Sequence, residues 1–273
     1  MLDEIEGLKF FEDIHRYSLH DTWLLHSVTG VLSFDMSPFV QARINATRDG
    51  EKGWARRGTT VHAALEHHLL GEAQVNPDQY EEWINPLLDN WLVQDTKPIA
   101  VEYRLCDPRI SLGGSFDFLI EYKGKTILGD LKTVGSAKAV EARKAATAQL
   151  GGYLNMLNYH HPKLWIDRCV TLVSGPGHAK VISSEPDECT NAWEEAWGRY
   201  SVHLEVKEPF WCWTKGRLTT SLNGLGSYAS MIRFTAINAK KSSKTSSVVS
   251  LHLAWNGIQK HGLFGFINAE RGE

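Results

Sequence analysis

Residues 113–133 read GGSFDFLIEYKGKTILGDLKT, a stretch that predicts two β-strands joined by a tight turn. Two runs rich in β-branched and aromatic residues flank Lys123-Gly124. A glycine at this place suits a two-residue turn, whose central residues need a positive φ. We therefore expect an antiparallel hairpin in which Tyr122 pairs with Lys125.

This register gathers charged side chains on one face of the hairpin. It places Asp117 directly opposite Asp130, and it places Lys132 on the same face, opposite Ser115. The other face reads as a core face, with Phe116, Phe118 and Ile120 on the first strand and Ile127 and Leu131 on the second. The hairpin is thus expected to bury one face and to present two carboxylates and an ammonium group on the other.

Two carboxylates paired across adjacent strands repel each other. Their Cβ atoms lie about 5 Å apart, and at an effective dielectric constant near 20 the repulsion is on the order of 3 kcal/mol. A divalent cation offsets this repulsion, and hard oxygen ligands suit Mg²⁺ or Mn²⁺. The alternative is a solvated strand face with Lys132 as a salt-bridge partner. The register and the lysine together favour the metal site.

Apolar spacing on either side of the hairpin predicts further helices and strands. Before the hairpin we expect short strands at HRYSL and SVTGVLSF, a helix from about Gly53 to Leu70, a second helix and a strand at VEYRLC. The second helix should begin at Pro86 after an Asn85 cap and present one stripe of Leu88, Trp91 and Leu92. After the hairpin we expect an alanine-rich helix from about Ala137 to Tyr159, strands at RCVTLVS and HAKVISS, and a last helix that opens at Ser184-Glu185-Pro186. This order predicts an α/β (α+β) fold in which helices flank a central mixed sheet.

The chain divides into three predicted segments: an N-terminal arm over residues 1–52, a core domain over 53–213 and a basic tail over 214–273. Between Pro209 and Asn268 there are seven Lys and Arg and no Asp or Glu, although the net charge of the whole chain is −3. Such a tail suits contact with nucleic acid. The chain has no apolar run of membrane-spanning length and its N-terminus does not resemble a signal peptide, so we expect a cytoplasmic protein with no membrane partner.

Four motifs in this order resemble the PD-(D/E)XK nuclease superfamily. Asp117, followed thirteen residues later by Asp130-Leu131-Lys132, is similar to its signature, with Phe116 in place of the proline. The stretch GTTVH, which ends at His62, resembles the G-x-x-x-H helix of RecB-like nucleases, and QLGGY, from Gln149 to Tyr153, resembles their Q-x-x-x-Y helix. The N-terminal HRYSL and SVTGVL are similar to the lead-in of phage-type exonucleases. The resemblance implies a restriction-endonuclease-like fold.

The resemblance also implies a role for each candidate residue. The implied metal ligands for Mg²⁺ or Mn²⁺ are His62, Asp117, Asp130 and the Leu131 carbonyl, and the implied catalytic residues are Asp117, Asp130 and Lys132. Lys132 would steady the attacking hydroxide and the charge that develops on the phosphate. The simpler alternatives are an exposed helical histidine and a surface lysine.

Five further residues complete the candidate set. The implied substrate contacts are Gln149, Tyr153 and Ser115, and the supporting residues are Glu66 and Glu102. Glu66 lies one helical turn after His62 and could orient it, and Glu102 stands where some relatives carry an auxiliary acid. The alternatives are a Gln and a Tyr at a helix edge, a surface Glu66 and an edge-strand Glu102.

The leading hypothesis is a metal-dependent deoxyribonuclease, an exonuclease on linear or single-stranded DNA ends. The resemblance implies work in DNA recombination, replication or breakdown, in a bacterial or phage-infected cell, beside phage or host proteins of those processes. A structure-specific endonuclease would use the same residues. A non-catalytic nucleic-acid-binding relative should lack Asp117, Asp130 or Lys132, and all three are present. An iron–sulfur branch needs a cysteine ahead of His62, and none precedes it, so we expect no iron–sulfur cluster.

Overall fold

The computed structural model describes residues 1–50, 53–74 and 78–207, together with the backbone of four short strands after residue 210. The chain forms two compact units, Met1–Gly224 and Leu225–Glu273. In chain order, the first unit contains β1 Leu8–Phe11, β2 Arg16–Leu19, β3 Thr22–Trp23, β4 His26–Ser27, α1 Val28–Ser33, α2 Pro38–Ala46, α3 Trp54–Leu70, α4 Glu81–Leu88, α5 Trp91–Gln94, β5 Lys97–Asp107, β6 Leu112–Tyr122, β7 Lys125–Thr133, α6 Ala137–Ala142, α7 Thr147–His160, β8 Arg168–Gly175, β9 His178–Ser184, α8 Pro186–Lys207, β10 Trp211–Thr214 and β11 Arg217–Thr220.

The second unit contains one described feature, an antiparallel pair of strands, β12 Met231–Thr235 and β13 Ser250–Ala254. The rest of the basic tail predicted after residue 213 lies mostly outside the described residues. None of the described helices is long and apolar enough to cross a membrane.

A six-stranded mixed sheet forms the centre of the first unit. Its order is β4-β6-β7-β8-β9, and β5 pairs with β6 as well. The pairs β5/β6, β6/β7 and β8/β9 are antiparallel, whereas β4/β6 and β7/β8 are parallel. Helices cover both faces, so the predicted α/β fold with a mixed sheet between helices is confirmed.

Each face of the sheet has its own apolar core. On one face, Leu119 and Leu128 pack with Leu150 of α7 and Trp193 of α8. On the other, Phe118 and Leu131 belong to a cluster that includes Val61 and Leu65 of α3 and Ile84 of α4. The α3 stripe that helical spacing predicts, formed by Val61, Ala64, Leu65 and Leu69, is buried. The helices that carry the candidate residues are therefore held against opposite faces of β6 and β7.

The hairpin has the predicted turn and register. Lys123 and Gly124 both have positive φ, 49° and 74°, as a two-residue turn of this kind requires. Cross-strand pairs run from Tyr122↔Lys125 to Phe118↔Gly129. The expected pairing of Asp117 with Asp130 is wrong, because the paired stretch ends at Phe118↔Gly129, one position short of these two residues.

The predicted core face is wrong for Phe116. Phe116 packs with Tyr103 and Leu119 on the α7 side, whereas Phe118 packs on the α3 side. Strict alternation would have kept Phe116 and Phe118 on the same face. The strand therefore changes phase at Asp117, which lies between them.

Two helices occur in the N-terminal region, where only short strands were expected. SVTGVLSF forms α1 instead of a strand, because the Ser27 hydroxyl accepts a hydrogen bond from the Gly30 amide and caps the helix. Ser37 caps α2 in the same way, through the amide of Val40, and Pro38 occupies the first helical position.

The predicted start of a helix at Pro86 is wrong. The helix α4 begins at Glu81 and contains Pro86, which cannot donate the hydrogen bond that the Glu82 carbonyl would accept. The amide of Gly177 donates to that carbonyl instead, at 2.8 Å. Asn90, rather than Asn85, caps the next helix, α5. Trp91 is 52% exposed and does not share a core stripe with its neighbours.

The alanine-rich region forms two helices instead of one. Arg143 has an extended backbone, with φ −66° and ψ 131°, and ends α6. The amide of Ala146 then donates to the Thr171 hydroxyl at 2.8 Å, so β8 supplies the hydrogen bond that a continuous helix would have made internally. The second helix, α7, carries Gln149 and Tyr153.

Candidate active site

The candidate site lies at a fork in the central sheet. Strand β5 pairs with β6 along nearly its whole length, so β4 and β7 share the opposite edge of β6. On that edge β7 pairs only as far as Phe118, and β4 pairs only with Leu112 and Gly113. Asp117 lies in the unpaired stretch between them. Its carboxylate Oδ2 accepts a hydrogen bond from the Leu131 amide across the fork.

Glu102 stands beside Asp117 because its own strand is kinked. Glu102 has φ 47°, a left-handed conformation that is uncommon for residues other than glycine. The cross-strand pairs Val101↔Phe118 and Tyr103↔Phe116 flank this position, and no pair joins Glu102 to Asp117. The kink coincides with the change of phase of β6 at Asp117. Backbone strain of this kind is often found at functional sites.

His62 brings α3 to the two acids. Its Nδ1 lies 3.3 Å from Asp117 Oδ1 and 3.7 Å from Glu102 Oε1. One ligand atom from each of these three residues falls within 4.8 Å of the others. An imidazole nitrogen and two carboxylate oxygens are donors that bind Mg²⁺, Mn²⁺ and similar divalent cations.

Asp130 faces the other side of the fork, towards α7. Its Oδ1 accepts a hydrogen bond from Gln149 Nε2 at 2.8 Å, and Gln149 also donates to the Tyr153 hydroxyl at 2.7 Å. Lys132 Nζ lies 2.7 Å from Asp130 Oδ2. Oδ2 is buried, and the Lys132 ammonium group is its counter-charge in the described part of the chain. Asp130 is thus held by Gln149 on one oxygen and by Lys132 on the other.

The charges of the site are tightly coupled. Burial lowers the pKa of His62, but Asp117 and Glu102 outweigh burial and raise it to about 10. Burial raises the pKa of Asp117, and His62, Lys132 and the Leu131 amide together hold it below its usual value. Burial also raises the pKa of Asp130 to about 6, against the opposing charge of Lys132. At neutral pH, His62 is therefore an imidazolium that serves as counter-charge to two acids, and a metal ion bound to Nδ1 has to displace its proton.

Opposing effects act on the pKa of Glu102. Burial raises this pKa, the nearby His62 imidazolium lowers it, and the negative charges of Asp117 and Glu66 raise it again. A divalent cation would relieve this crowding of carboxylates. The described residues therefore fit such an ion, with His62, Glu102 and Asp117 as its donors.

The structure brings together most of the predicted site residues, with two differences. His62 and Asp117 meet Glu102, which was expected only as a supporting acid, whereas Asp130 is not part of that three-residue group. The physical reason is the fork, which turns Asp117 towards α3 and leaves Asp130 facing α7. Leu131 contributes its amide to Asp117 and buries its side chain, and its backbone pairs with Leu172 of β8.

The remaining predicted residues have local partners. Tyr153 is 3% exposed, so its hydroxyl contacts Gln149 from within the core instead of lying open to a substrate. The Ser115 hydroxyl lies 3.0 Å from that of Tyr17. Glu66 makes no hydrogen bond or ion pair with His62 in the described chain, and it acts on Glu102 through its charge. A side chain at Gly58 would meet Thr133 at an ordinary 3.8 Å, so α3 does not need a glycine there.

Two contributions were missed in the sequence. The central place of Glu102 follows from its position across from Asp117 in the β5/β6 ladder, a register that the short connection between these strands could have suggested. Tyr17 lies in the predicted HRYSL strand, but nothing in that strand indicates that its hydroxyl reaches Ser115. Of the two, the Tyr17 contact with Ser115 is the one that joins distant parts of the chain.

No protein-family profile and no curated protein sequence matches this chain. Among solved structures, the chain is similar to a protein named "Putative exonuclease" from Eubacterium rectale, with a TM-score of 0.44 and 13% identity over 67% of this chain and 81% of the other. It is also similar to a protein named SSO0001, with a TM-score of 0.35 and 15% identity over 63% of this chain and 75% of the other.

Proposed function

We propose that this protein is a divalent-metal-dependent nuclease of the PD-(D/E)XK superfamily, in its RecB-like branch, that hydrolyses phosphodiester bonds in DNA. One observation carries the proposal: the His62, Glu102 and Asp117 donors lie within 4.8 Å of one another, beside the fork that holds Asp130 and Lys132. The four sequence motifs support the same assignment. We further propose that it acts as an exonuclease on linear or single-stranded ends, in the cytoplasm, during DNA recombination, replication or breakdown.

His62, Glu102 and Asp117 would hold Mg²⁺ or Mn²⁺. Bound there, the ion would supply an activated water molecule and neutralise charge on the scissile phosphate. The fork keeps these donors in place: Asp117 is tied to the Leu131 amide, and Glu102 is fixed by the kink in β5. His62 lies in the third turn of α3, which is packed against the sheet.

Lys132 and Asp130 form the second half of the site. Lys132 keeps 25% of its side chain exposed, so its ammonium group can leave Asp130 and approach a phosphate oxygen. In that position it would stabilise negative charge as that charge develops. Asp130 is held from behind by Gln149, whose amide is itself fixed on Tyr153. Gln149 and Tyr153 thus keep Asp130 oriented while Lys132 moves.

A cleavage assay tests the proposal. End-labelled linear DNA and covalently closed circular DNA are incubated with the protein in Mg²⁺, Mn²⁺ or EDTA, beside Lys132→Ala and Asp117→Asn. We expect metal-dependent loss of the linear substrate alone, abolished in both variants. Arg199→Ala serves as the matched control and should cleave normally, because it removes an exposed positive charge on α8 whose ion-pair partner in the described chain is Glu195.

Two other outcomes have clear meanings. Cutting of closed circles would keep the chemistry and change the function to that of an endonuclease. Binding of DNA without cleavage in either metal would contradict the catalytic proposal and leave a nucleic-acid-binding protein.

A further inference from the structure

The helix α2 has no buried residue, although it is nine residues long. Its apolar side chains lie in solvent: Phe39 is 72% exposed, Val40 44% and Ile44 37%. Helices of this length usually owe their stability to an apolar face packed on another element. An ordered helix whose large apolar side chains lie in solvent therefore indicates a binding surface.

This helix is attached firmly to α3, which carries His62. The amides of Trp54 and Ala55 donate to the carbonyls of Thr47 and Arg48, each at 3.1 Å. The Trp54 indole Nε1 donates to the Ile44 carbonyl at 2.8 Å. The C-terminus of α2 is thus joined to the N-terminus of α3. Trp54 precedes His62 by eight residues, a distance of about 12 Å along the helix axis.

The same region is basic and aromatic. From Pro38 to Arg57 the sequence has five Lys and Arg and two Asp and Glu, in a chain whose net charge is −3. The Arg43 guanidinium lies 6.0 Å from the centre of the Phe39 ring, and Trp54 is 39% exposed. We call Phe39, Arg43, Arg48 and Trp54 the α2 surface. The Asp49 carboxylate lies 4.0 Å from the Arg48 guanidinium, too distant for a strong ion pair.

We propose that the α2 surface binds single-stranded nucleic acid and leads it to the candidate active site. Unpaired bases would stack on Phe39 and Trp54, and Arg43 and Arg48 would contact phosphates. Aromatic side chains interleaved with basic ones are what a single strand requires, because stacking needs bases that are free of a partner strand. The proposal rests on the proposed nuclease function for the destination of the strand, but binding itself does not require cleavage.

Other occupants fit the surface less well. A symmetric contact with a second copy would bring the arginines of two α2 surfaces towards each other, and like charges at an interface oppose association. A membrane-binding helix requires a wide apolar face, whereas here Gln41, Arg43 and Asn45 alternate with the apolar residues.

The test is a binding titration in EDTA, so that cleavage plays no part. An end-labelled oligothymidylate is titrated with the full chain, and fluorescence anisotropy gives the dissociation constant. We expect Phe39→Ala to weaken binding about 5- to 150-fold, the range for loss of one base–aromatic stack. Arg43→Gln should reduce the slope of log K against log salt by about 0.7, the value for one phosphate contact on a single strand.

Trp165→Ala is the matched control, because Trp165 is a 77% exposed aromatic outside the α2 surface. It should bind as the wild type does. Phe39 is 72% exposed and lies outside the core, so its variant should unfold at the wild-type temperature. If Phe39→Ala failed to fold, its unfolding temperature would show it. The binding titration of Arg43→Gln would then test the α2 surface independently.

Several results would overturn the proposal. These are absence of oligothymidylate binding by the wild type, equal binding by wild type, Phe39→Ala and Arg43→Gln, a wild-type dimer that Phe39→Ala dissociates, or binding to anionic vesicles in place of the oligonucleotide. Failure of the nuclease function looks different. A protein that binds the strand through the α2 surface but never cleaves would keep this inference and lose the proposed function.

Discussion

Replacement of Gly151 by alanine is expected to disrupt the packing of α7 against α8. A Cβ atom at Gly151 would lie 2.0 Å from the carbonyl oxygen of Cys189 and 2.8 Å from Cβ of Trp193. Carbon atoms in good contact are about 3.5–4.0 Å apart. The opposing atoms belong to the backbone of α8 or lie next to it, so no side-chain rotation relieves the clash and the helices have to separate.

The size of the effect follows from two opposing contributions. Alanine is favoured over glycine inside a helix by about 1 kcal/mol. Overpacking of a close-packed core costs about 1–3 kcal/mol, and occasionally more. Because the clash is with backbone atoms, we take the upper part of that range and expect the free energy of unfolding to fall by about 2 kcal/mol. Gly198, on α8, has no atom within 4 Å of its would-be Cβ, so Gly198→Ala should gain up to about 1 kcal/mol.

Urea denaturation followed by far-ultraviolet circular dichroism measures both variants against the wild type. The two substitutions are chemically identical and both lie in helices, so the difference between them isolates the contact of α7 with α8. If Gly151→Ala were as stable as the wild type, or gained stability as Gly198→Ala does, the packing argument would be refuted.

Three further predictions concern the site. Lys132→Met should reduce cleavage by about 100-fold or more, the usual cost of removing one group that stabilises developing charge; normal turnover would exclude a catalytic Lys132. Tyr153→Phe removes the hydroxyl that accepts from Gln149 at 2.7 Å, a bond worth about 1 kcal/mol, so the cleavage rate should fall about fivefold while DNA affinity stays constant. The pKa of His62 is raised to about 10, and metal binding displaces its proton. The apparent Mn²⁺ affinity should therefore fall about tenfold for each unit that the pH is lowered below that value. Calorimetric titrations at pH 7 and pH 8 measure this difference, and equal affinities would show that His62 is not a ligand.

The hairpin could be predicted from the sequence because its determinants are local. The Lys123-Gly124 turn and the alternation of side chains together determine the register, and the observed pairs follow it from Tyr122↔Lys125 to Phe118↔Gly129. The positions of the main strands and the burial of the α3 stripe follow from the same kind of short-range pattern. The fold class was therefore accessible without any knowledge of tertiary contacts.

The geometry of the site depends on contacts that are distant in sequence. The kink at Glu102 is a positive φ at a residue other than glycine, and no local pattern indicates it. The fork lies between the part of β6 that pairs with β7 and the part that pairs with β4, a strand far away in the chain. For these reasons Glu102 was expected only as a supporting acid, and Asp130 was expected in the same group as Asp117.

The errors in the helices have a similar origin. Pro86 is normally a sign of a helix start, but here the Gly177 amide satisfies the Glu82 carbonyl that Pro86 leaves free. The break between α6 and α7 depends on Thr171 of β8. In both places a partner from another element replaces a hydrogen bond that sequence patterns assume to be internal.

A single titration tests the central claim that one metal site performs the cleavage. Mn²⁺ is added to wild type and to His62→Gln, bound Mn²⁺ is measured by electron paramagnetic resonance, and cleavage of linear DNA is measured on the same samples. The account predicts that occupancy and rate rise together in the wild type, and that both curves shift together to higher Mn²⁺ in the variant. Cleavage that rises without occupancy, or a His62→Gln variant whose two curves match those of the wild type, would contradict it.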